Sequence, residues 1–184
     1  KADAGSARGE LVERASRDLN FRAKPGWRKG GRMKEKILIV DDDETMVNLL
    51  ATILEIEGFT AWKALDGQSA LDLMSRELPD LVLLDIMMPG IDGFEVLARL
   101  RSDPRTEELP VIMLTARSDD RDIFEGWKKG ADEYVTKPFD PRKLMEVIRG
   151  VLRSSHEERL ERRARKVESL LEILAQLEER AGEE

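Results

Sequence analysis

The sequence predicts a doubly wound α/β domain with a parallel sheet, and three observations lead there. Between residues 36 and 153, five short apolar or β-branched runs alternate with five stretches whose apolar residues recur at helical spacing. The first, third and fourth runs, 37–40, 81–84 and 111–114, are continuously apolar, as strands covered on both faces must be. The chain has 184 residues, 41% of them hydrophobic, enough for one packed domain and at most a small second one.

Each element has its own warrant. Ile37, Leu38, Ile39 and Val40 form the first strand; Met46, Leu49, Leu50, Ile53 and Leu54 then recur as a helix face until Gly58 stops it. Residues 60–64 give a second strand and residues 70–78 a second helix, closed by Pro79. Leu81 to Leu84 make the third strand, and Pro89 and Gly90 turn the chain into a helix carrying Phe94, Val96, Leu97 and Leu100. Pro110 introduces the fourth strand, and a less apolar helix over 120–129 ends at Gly130. Residues 133–136 are a short fifth strand, and Lys137, Pro138 and Phe139 lead into a helix with Leu144, Ile148, Val151 and Leu152. Beyond it, Leu160, Arg163, Val167, Leu170, Leu174, Leu177 and Ala181 step alternately by 3 and 4, with no Gly or Pro from Val151 to Ala181. This predicts a helix continuous, or nearly so, with the one before it: a coiled-coil extension over 154–184 and a parallel homodimer through it. A helix folded back on its own domain is the alternative.

Charge divides the chain at the same places. Residues 1–32 carry 9 basic and 4 acidic side chains, residues 33–153 carry 16 and 25, and residues 154–184 carry 6 and 9, for a net −7. The middle domain is thus a poor nucleic-acid binder, and no direct nucleic-acid binding by it is expected. The basic segment 1–32 is expected to be disordered or non-native, with Met33 as the natural start. Its alternatives are a short helix around 10–21 and a nucleic-acid arm with Phe21 and Trp27 among cations. Without cysteine, disulfides, thiolate zinc sites and a cysteine nucleophile are excluded. A single histidine argues against a histidine-rich metal site or a Ser-His-Asp triad. Apolar runs never exceed four residues and no secretory signal is present, so a soluble, cytoplasmic protein without membrane partners is expected.

Ligands of an open parallel sheet bind beyond the carboxyl ends of its strands. There the first strand ends in Asp41, Asp42 and Asp43, the third in Asp85, the fourth in Thr115 and the fifth in Lys137. Any one of these alone is explained as a helix cap, Asp43 above all. Four polar strand ends on one rim point to a site. Two carboxylates about 4 Å apart repel by roughly 4 kcal/mol at an effective dielectric near 20, so the cluster predicts a hard divalent cation. Few oxygen ligands with room for water and phosphate suit Mg²⁺ better than a calcium cage. A carboxylate in that setting can attack phosphorus and become an aspartyl phosphate, with an ammonium and a hydroxyl to hold the transferring group.

These residues resemble the receiver domain of two-component response regulators, over residues 34–153. The matching text is Val40-Asp41-Asp42-Asp43-Glu44, Leu84-Asp85-Ile86-Met87-Met88-Pro89-Gly90, Leu114-Thr115-Ala116, and Gly130-Ala131-Asp132-Glu133-Tyr134-Val135-Thr136-Lys137-Pro138-Phe139. The resemblance implies a flavodoxin-like five-stranded sheet of order 2-1-3-4-5. It implies that Asp85 is the phosphoacceptor, charged from a phosphohistidine of a sensor histidine kinase or phosphotransfer protein. Mg²⁺ would be held by Asp42 and Asp85, by Asp41 through water, and by the backbone carbonyl of Met87. Lys137, with a cis bond to Pro138, and Thr115 would be the catalytic pair, and Thr115 with Tyr134 the switch pair. Asp43 and Glu44 are not expected to be ligands, and His156 is expected to be an exposed helix residue. The implied function is a phosphorylation-activated switch without turnover, not an enzyme. Residues 154–184 are too few for a DNA-binding or enzymatic output domain.

The alternative is a phosphohydrolase of the haloacid dehalogenase type. Asp41, Asp43 and Thr45 satisfy its D-x-D-x-T pattern, with Asp41 as nucleophile and Asp43 as general acid/base. That reading leaves Asp85 and the settings of Thr115 and Lys137 unexplained.

Overall fold

The computed structural model describes residues 34–116 and 120–181; the expectations for residues 1–32 lie outside them. From Lys34 onward the chain forms one unit, tail included. The elements run β1 Lys36–Val40, α1 Glu44–Ile56, β2 Thr60–Ala64, α2 Gly67–Arg76, β3 Leu81–Asp85, α3 Gly93–Ser102, β4 Val111–Thr115, α4 Asp120–Lys128, β5 Glu133–Thr136, α5 Pro141–Arg153 and α6 His156–Ala181. The five strands are parallel in the order β2-β1-β3-β4-β5.

Alternation along the strands builds two apolar layers. Leu38, Val40, Val82, Leu84, Val111 and Met113 face α2 and α3 on one side. Ile37, Ile39, Leu81, Leu83, Ile112 and Leu114 face α1 and α5 on the other. Both faces are covered, which is why these strands are apolar at every position.

Aspartates start α1, α2, α3 and α5. Asp43 accepts the Thr45 and Met46 N–H groups at the head of α1, Asp66 accepts Ser69 N–H, Asp92 accepts Glu95 N–H, and Asp140 accepts Arg142 N–H. Asp66 explains why α2 begins at Gly67 rather than near Ala70: its cap, not its first apolar residue, sets the start.

The tail departs from the sequence expectation in one respect. α5 ends at Arg153 with Ser154 as its C-cap, and α6 starts afresh two residues later. Ser155 and Glu158 form a reciprocal capping box: Glu158 N–H donates to Ser155 Oγ (3.1 Å) and Ser155 N–H to Glu158 Oε2 (2.8 Å). This break lets α6 turn back and pack along α4, so the helix is not continuous with α5. Arg163, the polar member of the heptad series, donates to Asp132. His156 is half-buried as the first residue of α6. Among the described residues no helix is long and apolar enough to cross a membrane.

Candidate functional site

Sheet order decides where the site lies. β1 is the second strand and β3 the third, so the connections leaving them diverge to opposite faces and open a crevice at their carboxyl ends. Asp41 follows β1 and is 1% exposed; Asp85 closes β3 and is 4% exposed. Asp42 is exposed at the rim. Each of these three carboxylates offers one oxygen, and the three atoms lie within 4.8 Å of one another.

Lys137 crosses the crevice from the end of β5. Its Nζ donates to Asp41 Oδ2 at 2.6 Å and to Asp85 Oδ1 at 2.7 Å. The bond to Pro138 is cis, and Lys137 N–H donates to Thr115 O at 2.7 Å, fixing this corner to the end of β4. The remaining oxygens of both buried carboxylates are also engaged: Asp41 Oδ1 accepts Asp43 N–H at 3.0 Å and Asp85 Oδ2 accepts Met87 N–H at 2.9 Å. Thr115 is buried at the end of β4 and lines, with Met87, Met88, Pro89 and Phe94, the groove beside Asp85. The Met87 side chain is 52% exposed.

Burial raises the Asp85 pKa, and the neighbouring Asp41 charge adds to this, against the hydrogen bond and charge of Lys137 and the Met87 N–H. Burial pulls the Lys137 pKa down, but its bonds to Asp41 and Asp85 and their charges outweigh it, and the net shift is upward. The lysine is therefore a fixed cation and Asp85 the softer charge. Two further features hold Asp85 in place. Ile86 N–H donates to Leu114 O across to β4. Gly93, which opens α3, sits so close that a Cβ there would fall 2.1 Å from Asp85 O.

Three oxygen donors of one sign with a single ammonium among them fit a hard divalent cation, and the exposed Asp42 leaves the cluster open to water. Asp43 caps α1 through Oδ1, which accepts both the Thr45 and Met46 N–H groups. The hydrolase alternative needs Asp43 as acid/base and Asp41 as nucleophile, and it leaves the Lys137 bridge to Asp85 unexplained.

Tyr134 lies on β5 with its ring against α4. The ring is 5.7 Å from Trp127, and a Cβ on Gly126 would fall 1.2 Å from Tyr134 Oη. The structure thus brings Asp41, Asp42, Asp85 and Lys137 together directly, puts Thr115 on the adjoining strand end, and sets Tyr134 at one remove.

A second polar cluster escaped the sequence reading. Asp132, 2% exposed just before β5, accepts from Arg101, Arg159 and Arg163. Asp132 stands inside the motif Gly130 to Phe139, but its partners are too far away in sequence for any local pattern to reveal.

Comparison with known proteins shows the family and the fold. The model of the response regulator receiver domain matches residues 37–149. The transcriptional regulatory protein CpxR of Escherichia coli K12 is 49% identical over 121 residues, covering 66% of this chain and 50% of that protein. The DNA-binding dual master transcriptional regulator RpaA of Synechocystis is 43% identical over 118 residues, covering 64% and 49%. The chain therefore spans about half the length of the curated relatives it matches. Among solved structures, a putative response regulator from Chloroflexus aurantiacus superimposes with a TM-score of 0.63 at 37% identity, covering 65% of this chain and 98% of that one. The chemotaxis protein CheY4 of Vibrio cholerae gives 0.62 at 28%, covering 65% and 99%. With the sheet order, the acidic crevice and the bridging lysine already in place, these matches make the chain a member of the response regulator receiver domain family.

Proposed function

We propose that the chain is a phosphorylation-activated signalling switch in which Asp85 accepts a phosphoryl group from the phosphohistidine of a partner kinase or phosphotransfer protein. The observation that carries this reading is the single Lys137 ammonium held between Asp41 and Asp85 at the switch point of the sheet. An Asp85 oxygen attacks phosphorus, the phosphorus–nitrogen bond of the donor breaks, and the imidazole leaves. Lys137 then moves from balancing a carboxylate to balancing the phosphoryl oxygens. Asp41, Asp42, Asp85 and the carbonyl of Met87 would hold Mg²⁺, which supplies positive charge opposite the transferring group. The Thr115 hydroxyl takes up a phosphoryl oxygen, and Tyr134 follows it inward, away from α4. The protein passes a signal and has no turnover activity of its own. Its relatives are named as transcriptional regulators, so an output beyond this domain would act on DNA while the receiver itself does not. Residues 154–184 would join two copies into a homodimer once the heptad face of α6 is free.

Phosphoramidate or acetyl phosphate with Mg²⁺ should add one phosphoryl mass to the intact protein, and Asp85→Asn should abolish the addition. Retention of the label in Asp85→Asn, with loss in Asp41→Asn, would transfer the nucleophile to β1 and restore the hydrolase.

A further inference from the structure

The tail is fastened to the domain by a plug rather than laid on it. Asp132 Oδ1 accepts Arg159 Nε at 3.0 Å and Arg163 Nη2 at 3.1 Å, from successive turns of α6. Its Oδ2 accepts Arg101 Nη2 from α3 and Val111 N–H from β4, both at 2.9 Å. Arg159 is 4% exposed and also donates to the carbonyls of Ser154 and Glu108. Arg163 Nε donates to Ala131 O. Burying an arginine is costly unless its donors are used, and these are. Yet the plug is unbalanced: three guanidiniums share one carboxylate. Burial, with the charges of Arg163 and Arg159 adding to it and Asp132 opposing, brings the Arg101 pKa down to about 10.

α6 rests on two supports. One is Asp132, locked to the sheet through Val111. The other is α4, on which α6 packs, and on α6 Arg163, Val167 and Leu170 are half-buried. The second support carries Gly126 and Trp127, against which the Tyr134 ring packs. β5 has four residues, Asp132 precedes it and Lys137 follows it. Five steps of extended chain, roughly 17 Å, therefore separate the tail plug from the lysine on Asp85.

We propose that α6 is a reversible strap, plugged through Arg159 and Arg163 onto Asp132 and lying over α4 and the start of β5, and that phosphorylation of Asp85 shifts it toward an undocked state. The inference rests on the proposed phosphoacceptor role of Asp85. Withdrawal of the Tyr134 ring changes the seat of α4 relative to β5. A single rigid helix bound to both cannot follow both, and packed interfaces respond by switching rather than bending. Undocking also relieves the repulsion among the three guanidiniums.

The test uses the full chain, with phosphorylation by phosphoramidate and Mg²⁺ followed by intact mass and docking by hydrogen exchange of α6 amides. On phosphorylation, exchange across 159–170 should rise about tenfold or more while the β1 and β3 amides stay protected. Coupling is reciprocal, so Arg159→Ala/Arg163→Ala should bind beryllofluoride, a phosphoryl stand-in, roughly 5- to 150-fold more tightly than the parent. Because that variant strips partners from a buried carboxylate, Leu170→Glu, which loosens the α4 contact without touching the plug, should shift affinity the same way. Arg165→Ala, on the exposed face, should not. A phosphoryl mass gain with unchanged α6 exchange, or parental beryllofluoride affinity in Leu170→Glu, overturns the strap while leaving the phosphosite standing. No mass gain at all overturns both.

Discussion

Asp85 carries opposing demands at one residue. Its carboxylate must be ionised to attack phosphorus, yet burial and the nearby Asp41 favour the protonated form and Lys137 only partly offsets them. Because the folded-state pKa lies above the unfolded value of 3.8, ionising Asp85 costs stability. That cost is absent below 3.8, grows as pH rises through the raised folded-state pKa, and is complete above it. Asp85→Asn should therefore melt higher than the parent in EDTA at neutral pH, by about 2–4 °C, and the gap should close on acidification through the same window. An Asp85→Asn protein that melts lower at every pH would mean that the Lys137 ion pair dominates. Asp42 differs in being exposed, so its repulsion is screened and Asp42→Asn should gain only about 0–1 kcal/mol in EDTA. Its signature is instead the response to metal: millimolar Mg²⁺ should stabilise the parent by mass action and Asp42→Asn distinctly less, measured by thermal melts with and without the ion. Equal gains would remove Asp42 from the ligand set. Stability given up at residues of this kind is the usual accompaniment of a functional site.

Among the elements, β5 and α4 are joined by the absence of a side chain. Gly126→Ala would put a methyl group 1.2 Å from Tyr134 Oη and 2.4 Å from its Cζ, so the ring has to swing off α4. Such overpacking should cost about 1–3 kcal/mol in urea denaturation and alter the near-ultraviolet dichroism of Trp127. Parental stability and spectrum would mean that the ring already samples the displaced position. The elements also mark how far the sequence can be read. The central strands were legible because burial on both faces leaves apolar runs, their order came only with the family resemblance, and the candidate site was legible because polar residues cap those runs at one edge. Helix starts were read less well where the cap, as at Asp66, precedes the first apolar residue. The break after α5 had a local signal, the Ser155 and Glu158 pair, overlooked beside the absence of Gly and Pro. The Asp132 cluster had none. Its arginines lie 31, 27 and 31 positions away along the chain, and a buried arginine looks in sequence like any solvated one.

At the scale of the whole molecule, the heptad series of α6 has two possible partners, and the structure shows one of them. Arg163, Val167 and Leu170 are half-buried against the chain's own domain, while Leu160, Leu171 and Ile173 remain 43%, 51% and 41% exposed. A face seated on α4 cannot at the same time pair with a second copy, so docking and coiled-coil assembly compete for the same residues. Competition makes assembly conditional: any change that costs the docked state free energy favours the dimer by the same amount. The unphosphorylated chain at tens of micromolar should therefore scatter light as a monomer of 20.9 kDa, and the phosphorylated chain should approach twice that mass. Removing the residues after Arg153 should leave a monomer in both states, because the heptad stripe goes with them. A full-length chain that is dimeric before phosphorylation, with α6 still protected from exchange, would mean that the dimer uses the exposed side of α6 and that docking and assembly cooperate instead of competing.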